Sequence, residues 1–102
     1  MKRPADCVTK QDIRSEIDRL DRDLIRLFVE RFGYVQRMAQ LKQDPDEAYV
    51  QDRIDDVLDK VAAKADEAGL DPVLVRDMWA KLIDWNIEYE RKTIASRKSG
   101  KP

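Results

Sequence analysis

The sequence contains no histidine and a single cysteine, Cys7. A catalytic Ser–His or Cys–His pair therefore cannot form within it, and an internal disulfide is excluded as well. One cysteine without histidine partners is also too few ligands for a structural zinc site. Any chemistry that this chain performs must use arginine, lysine, carboxylate and amide groups.

Glycine and long apolar runs are scarce too. Only three glycines occur in 102 residues, and no strand-like alternation is visible, so the predicted class is all-α. There is no run of 18 apolar residues and no apolar signal-peptide region at the start, which predicts a cytoplasmic protein without membrane contact. The 20 basic and 21 acidic residues leave a net charge of −1, which provides no general attraction to nucleic acid.

Helical periodicity is what the sequence has in abundance. A first helix is predicted over residues 12–42, interrupted in its apolar series only by Arg31. Its apolar residues follow a heptad spacing: Ile13, Ile17, Leu20, Leu24, Leu27, Tyr34, Met38 and Leu41. A helix of about 30 residues is about 45 Å long, more than a compact chain of this size covers by itself. The sequence therefore predicts association, most simply as a two-fold helical homodimer.

Three cations on this helix are candidates for binding an anion. Arg31 occupies a position where packing favours leucine, and a buried guanidinium requires a negative partner. Lys42 lies eleven residues later, which brings it to within about 20° of the same face. Arg14 lies about 100° around the helix from Arg31, so it cannot serve the same groove within one chain. It can serve the groove of a neighbouring chain.

The remaining elements are two shorter helices. The second is predicted over residues 51–68 and ends at Gly69; the third covers residues 72–96 and starts after the capping acid Asp71. Residues 1–11 form an entry segment in which Thr9 or Asp12 caps the first helix. Residues 43–50 are a polar connection, either a plain surface loop or a lid, and residues 97–102 are predicted to be a disordered tail.

Glu90 and Asn86 lie near the apolar stripe of the third helix, and Arg53 lies in the first turn of the second. Cations outnumber carboxylates in this set, so a ligand with two carboxylates would complete it. A carboxyl group on an apolar face is driven toward its neutral form, in which Glu90 can donate a hydrogen bond beside Lys42. Such a pair of donors stabilises an oxygen atom that gains negative charge.

Alternatives to a ligand site remain open at this point. Arg31 and Glu90 can form a buried ion pair that only supports a helical dimer or a regulatory module. Arg53 can pair with the acidic residues that surround it in its own helix.

The order and spacing of short motifs resemble the all-helical chorismate mutase family. The first helix carries Asp12-Ile13-Arg14, Ile17-Asp18, Leu20-Asp21, Glu30-Arg31 and Leu41-Lys42, and the second carries Arg53 with Val57-Leu58. Other motifs are more similar to the isochorismate pyruvate lyase branch of that family. These are Met1-Lys2, Pro4, Asp6-Cys7, Ala68-Gly69-Leu70-Asp71, Leu82-Ile83 and Trp85.

The resemblance implies an intertwined homodimer of three-helix chains with two equivalent pockets and no metal or cofactor. It implies that Arg31 and the partner's Arg14 bind the two carboxylates of the substrate, with Arg53 near the ring carboxylate. Lys42 would contact a carboxylate and the ether oxygen, and Glu90 would lie on the other side of that oxygen with Asn86 nearby. The implied activity is chorismate mutase, with isochorismate pyruvate lyase as the alternative.

Two departures from the family pattern bear on the substrate. Many mutases place acidic residues at the start of the second helix to bind the ring hydroxyl, whereas Val50 and Ile54 stand at the matching positions here. This difference favours the lyase. The position beside the ether oxygen is commonly glutamine and is Glu90 in this chain, which predicts activity that falls as pH rises.

Overall fold

The computed structural model describes residues 1–100 as an all-helical chain, and the predicted class is confirmed for them. Three long helices occur in order: α1 over Lys10–Leu41, α2 over Gln51–Ala68 and α3 over Pro72–Lys98. Two short 3-10 helices, Pro4–Asp6 and Pro45–Ala48, precede and follow α1. No strand occurs in this part of the chain. None of its helices is long and apolar enough to cross a membrane.

A reciprocal capping arrangement begins α1 two residues earlier than predicted. The hydroxyl of Thr9 accepts a hydrogen bond from the Asp12 amide at 3.0 Å. The Asp12 carboxylate accepts in return from the amides of Thr9 and Val8, at 3.2 and 3.0 Å. Three amides that the helix itself leaves without partners are thereby satisfied, which fixes the start of α1 at Lys10.

The connection after α1 is more structured than a plain polar loop. Asp44 accepts from the Asp46 amide, and the carboxylate of Glu47 accepts from the amides of Gln43 and Asp44, both at 2.7 Å. These bonds close the 3-10 helix Pro45–Ala48, whose last residue is buried. The connection packs against α3.

Helix α2 ends where the sequence predicted. Gly69 has φ +85°, and the amide of Leu70 returns to the Ala65 carbonyl at 2.8 Å. Asp71 then caps α3 by accepting from the Val73 amide. Arg76 pairs with Asp59 at 2.9 Å and joins the two helices, which pack against each other. The buried apolar residues of the described chain have small or branched side chains: Ala39, Ala48, Ala62, Ala65, Val75, Ile83 and Ile94.

Helix α3 is longer than predicted, because it continues to Lys98. The predicted tail over residues 97–102 is therefore wrong for its first two residues, Arg97 and Lys98, which are helical. Residues 101 and 102 lie outside the described residues. The physical reason is that Arg97 makes hydrogen bonds to two backbone carbonyls and so holds the end of the helix in place.

The chain divides into two compact units, with the boundary after Tyr34, inside α1. The unit over Met1–Tyr34 contains no buried residue. Its seam residues Ile13, Ile17, Leu20 and Leu24 are each 49% exposed. A helix with a half-exposed apolar stripe lacks the packing that stabilises helices in water. A single domain over the whole chain stays a prediction.

Candidate functional site

Two of the predicted catalytic residues contact each other directly. The ammonium group of Lys42, just beyond the last residue of α1, donates a hydrogen bond to Glu90 Oε1 on α3 at 2.6 Å. Their side chains are only 20% and 10% exposed. A charge pair that is partly removed from water interacts more strongly than one on the surface. Lys42 and Glu90 therefore form the centre of the candidate site.

The backbone around Lys42 is held by charged side chains from two later segments. The last turn of a helix leaves carbonyls without partners, and the guanidinium of Arg97 donates to two of them. The acceptors are the carbonyl oxygens of Ala39, at 2.9 Å, and Lys42, at 2.5 Å. On the other side, Glu47 binds the amides of Gln43 and Asp44. Lys42 stands between these two anchors.

The sequence analysis does not identify Arg97, because this residue lies in the segment predicted to be a disordered tail. One signal for it was present in the sequence. Arg97 is seven residues after Glu90 and therefore returns to nearly the same face of a helix. Extension of the helical period by two turns would have placed both residues on the same face of α3.

Asn86 and Glu90 are the two buried polar residues of α3, with 8% and 7% exposure. They are one turn apart, so their side chains leave the same face of the helix. The predicted interior position of both residues is confirmed. A half-buried ammonium beside a buried carboxyl group can supply positive charge and a hydrogen bond to an oxygen atom at a site with little water.

The Arg53 side chain is exposed on α2 and is not buried with Asn86 and Glu90. Its guanidinium pairs with Asp56 one turn later at 2.9 Å, and its side chain is 67% exposed. Lys60, with a smaller contribution from Arg53, holds the pKa of the Asp56 carboxyl below its usual value. The sequence left open whether Arg53 binds a ligand or pairs with acidic residues of its own helix, and the structure shows the local ion pair.

Arg14 and Arg31 belong to the unit over residues 1–34, whereas the other four candidates belong to the unit that begins at Val35. Arg14 is exposed and Arg31 is half-buried. The structure thus brings Lys42 and Glu90 together and places Asn86 one turn away on α3. The roles predicted for the two arginines stay predictions.

Comparison with known sequences identifies the family. Residues 13–91, which include all six candidate residues, match the chorismate mutase type II family. The chain belongs to this family. Within it, this chorismate mutase type II chain is 34% identical over 97 residues to an isochorismate pyruvate lyase of Pseudomonas aeruginosa. That match covers 91% of this chain and 96% of the relative.

A second relative is a longer protein. The chain is 36% identical over 69 residues to the T-protein of Haemophilus influenzae. This match covers 67% of the chain. The matched segment is only 18% of the T-protein, so most of that protein has no counterpart here.

Proposed function

We propose that this protein is a chorismate mutase, which converts chorismate to prephenate without a metal or cofactor. The observation that carries the proposal is the Lys42–Glu90 contact at 2.6 Å in a member of the chorismate mutase type II family. The reaction is a rearrangement in which the ether carbon–oxygen bond breaks and a carbon–carbon bond forms. It requires no nucleophile, and therefore suits a chain that has neither histidine nor a second cysteine.

In this proposal Lys42 stabilises the charge that grows on the ether oxygen. A lysine ammonium has three N–H donors, of which Glu90 accepts one. When the substrate takes the place of this bond, the ammonium donors are available to the ether oxygen and to a substrate carboxylate. Because the charge on the oxygen is larger in the transition state than in the ground state, this contact accelerates the chemical step rather than only binding the substrate.

Glu90 takes the opposite side of the ether oxygen and must carry a proton in order to donate to it. Binding of the ether oxygen between the two groups replaces the ammonium–carboxylate bond of the free protein. Asn86, one turn before Glu90, supplies an amide on the same buried face.

In this proposal arginines bind the carboxylates of the substrate, and two chains of a homodimer contribute to each pocket. Arg31 and the partner's Arg14 bind one carboxylate each, since a guanidinium matches a carboxylate with two parallel hydrogen bonds. Arg53 approaches the ring carboxylate after release from Asp56. The half-exposed seam of α1 supports the dimer, because a second copy would cover it.

Isochorismate pyruvate lyase is the second candidate activity, in which isochorismate loses pyruvate and leaves salicylate. Two observations favour it: the similarity to the Pseudomonas aeruginosa lyase extends over nearly the whole chain, and Val50 and Ile54 offer no carboxylate to a ring hydroxyl. A non-catalytic helical dimer or regulatory module is a third possibility, in which Lys42 and Glu90 form an ion pair without a chemical role.

Turnover of chorismate and isochorismate, measured in parallel from about pH 5 to pH 8, distinguishes these activities. We expect prephenate as the main product, formed faster at the acidic end of the range. Salicylate and pyruvate as main products would establish the lyase instead. Absence of turnover with either substrate would leave the non-catalytic interpretation.

The role of Lys42 is tested by Lys42→Ala. We expect a loss of turnover of at least about 100-fold, as for other donors to a developing oxyanion. The matched control is Lys92→Ala, which removes an exposed lysine from α3. Equal activity of the two variants would show that Lys42 has no catalytic role.

A further inference from the structure

The C-terminal end of α1 is held by a residue that lies outside the family match. Residues 13–91 match chorismate mutase type II, and Arg97 follows six residues after that match ends. Its two guanidinium nitrogens donate to the carbonyls of Ala39 and Lys42, at 2.9 and 2.5 Å. A planar guanidinium presents two donors at a fixed spacing, so it fixes both carbonyls together.

The carbonyl of Ala39 is available to Arg97 because the helix does not use it. In a continuing helix it would accept from the amide of Gln43, but that amide is bonded to the Glu47 carboxylate instead. The carbonyl end of a helix also carries a partial negative charge, which attracts a guanidinium. Arg97 therefore replaces a helical hydrogen bond with a charge-assisted one at the point where α1 stops.

Helix α3 consequently binds Lys42 at both ends of the residue. Glu90 accepts from the ammonium, and Arg97, two turns later on nearly the same face, donates to the backbone carbonyl. The lysine side chain has four flexible bonds, and fixing its backbone limits the positions that its ammonium reaches. Ala39 on α1 and Ile94 on α3 are completely buried.

We propose that Arg97 is a positioning residue that sets the location of the Lys42 ammonium. The inference rests on the proposed function for its effect on turnover, but the placement itself is measurable without a substrate. Arg97 acts through Lys42, because its guanidinium is bonded to backbone carbonyls at the end of α1.

The direct test is the 15N–1H correlation of the lysine ammonium groups in the ligand-free protein. The Lys42 signal is assigned by its loss in Lys42→Arg. In Arg97→Ala we expect this signal to move toward that of an exposed lysine, whereas Arg97→Lys, which can hold one carbonyl, gives an intermediate shift. An unchanged Lys42 signal in Arg97→Ala would overturn the proposal. Should Arg97→Ala not fold, Arg97→Gln, which keeps an amide donor, takes its place in the same measurement.

The control is Arg76→Ala, which also removes a guanidinium that links two elements, through Asp59, but leaves the end of α1 intact. We expect it to lower thermal stability without moving the Lys42 signal. An equal movement of that signal in Arg76→Ala would reduce Arg97 to a general stabiliser and contradict the proposal.

Turnover adds a second readout. We expect Arg97→Ala to lower kcat about tenfold with a change in KM below about threefold, because the misplaced ammonium serves the ether oxygen mainly in the transition state. A shifted Lys42 signal with an unchanged kcat would contradict the catalytic part of the proposal. If the wild-type protein turns over neither substrate, the proposed function fails while the ammonium signal still tests Arg97.

Discussion

Glu90 has two different tasks in the free and in the substrate-bound protein. In the free protein it accepts a hydrogen bond from Lys42, which compensates the charge of a lysine that is mostly removed from water. Next to an ether oxygen it must donate, which requires a proton. A glutamine at this position can accept from Lys42 through its carbonyl oxygen but cannot compensate the charge, whereas its amide donates at any pH.

Glu90→Gln therefore changes the pH dependence of turnover more than its maximum. We expect the ratio of the variant's kcat/KM to that of the wild type to rise with pH, since a carboxyl donor can lose its proton and an amide donor cannot. Glu88→Gln, an exposed change on the same helix, is the control and leaves the profile unaltered. A constant ratio for Glu90→Gln would exclude a proton donated by Glu90.

Asp12, near the start of the chain, allows a prediction of how the stability of the fold depends on pH. The amide of Val8 and the ammonium of Lys2 hold the pKa of the Asp12 carboxyl below its usual value. A lowered pKa in the folded protein means that the carboxylate stabilises the fold above the usual titration range, and that this contribution disappears as pH falls through the lowered value.

Asp12→Asn removes this titration and keeps an oxygen that can accept from the backbone. We expect the difference in melting temperature between wild type and variant to shrink as pH falls from about 5 to about 2.5. Thermal unfolding followed by circular dichroism measures it. A difference that stays constant over this range would show that Asp12 does not contribute through its charge.

At the scale of the elements, backbone caps determine where helices stop. Gly69 adopts a positive φ at the end of α2, and a β-carbon added there meets no atom within 4 Å. The cost of a side chain at this position is therefore conformational and not steric. Gly33 also has free space around it, but it lies within α1, where φ is negative.

The same substitution at these two glycines has opposite expected effects. Gly69→Ala should destabilise the protein by about 1 kcal/mol, because alanine disfavours the left-handed conformation. Gly33→Ala should stabilise it by about 0.5–1 kcal/mol, because glycine is a poor residue within a helix. Urea unfolding of both variants gives the two values. Destabilisation of similar size in both would contradict the conformational explanation.

The elements were predictable where local chemistry determines them. The boundaries of α2 follow from the polar connection before it and from Gly69, and the start of α3 follows from Asp71. The errors occurred at two helix ends, one set by a local capping pair and the other by distant residues. Lys10–Gln11 became helical through the Thr9–Asp12 capping pair, and Arg97 became helical by contact with carbonyls 55 residues or more away. Periodicity in sequence contains no information on such contacts.

The candidate site was predictable only where the spacing within one helix determines the position of a residue. Helical spacing placed Glu90 and Asn86 in the interior of α3, which the structure confirms. The structure adds that Lys42 donates a hydrogen bond to Glu90. Spacing within one helix gives the face on which a residue lies but not which residue of another helix meets it.

For the whole molecule, the half-exposed seam of α1 links assembly to function in the proposed enzyme. Each pocket would need Arg31 from one chain and the partner's Arg14. A chain that lacks either arginine then still complements a chain that lacks the other, because one of the two pockets in the mixed dimer has both.

Mixing of Arg14→Ala and Arg31→Ala chains tests this arrangement. With random pairing, about half of the dimers are mixed and each has one intact pocket, so about one quarter of wild-type activity should return. Each variant alone is the control and should be nearly inactive. Sedimentation of the mixture establishes that pairing has occurred, and paired chains without recovered activity would exclude the shared pocket.

The anchored end of α1 has a consequence for how the protein opens. Helix ends usually fray, and their amides exchange with solvent within the native state. The amide of Lys42, bonded to the Met38 carbonyl, lies in a turn that Arg97 and Glu47 both secure. This turn is released only when the distant end of α3 moves away. We therefore expect the Lys42 amide to exchange with deuterium as slowly as the core of α3, so that its exchange reports the free energy of opening of the part of the fold that packs around α3.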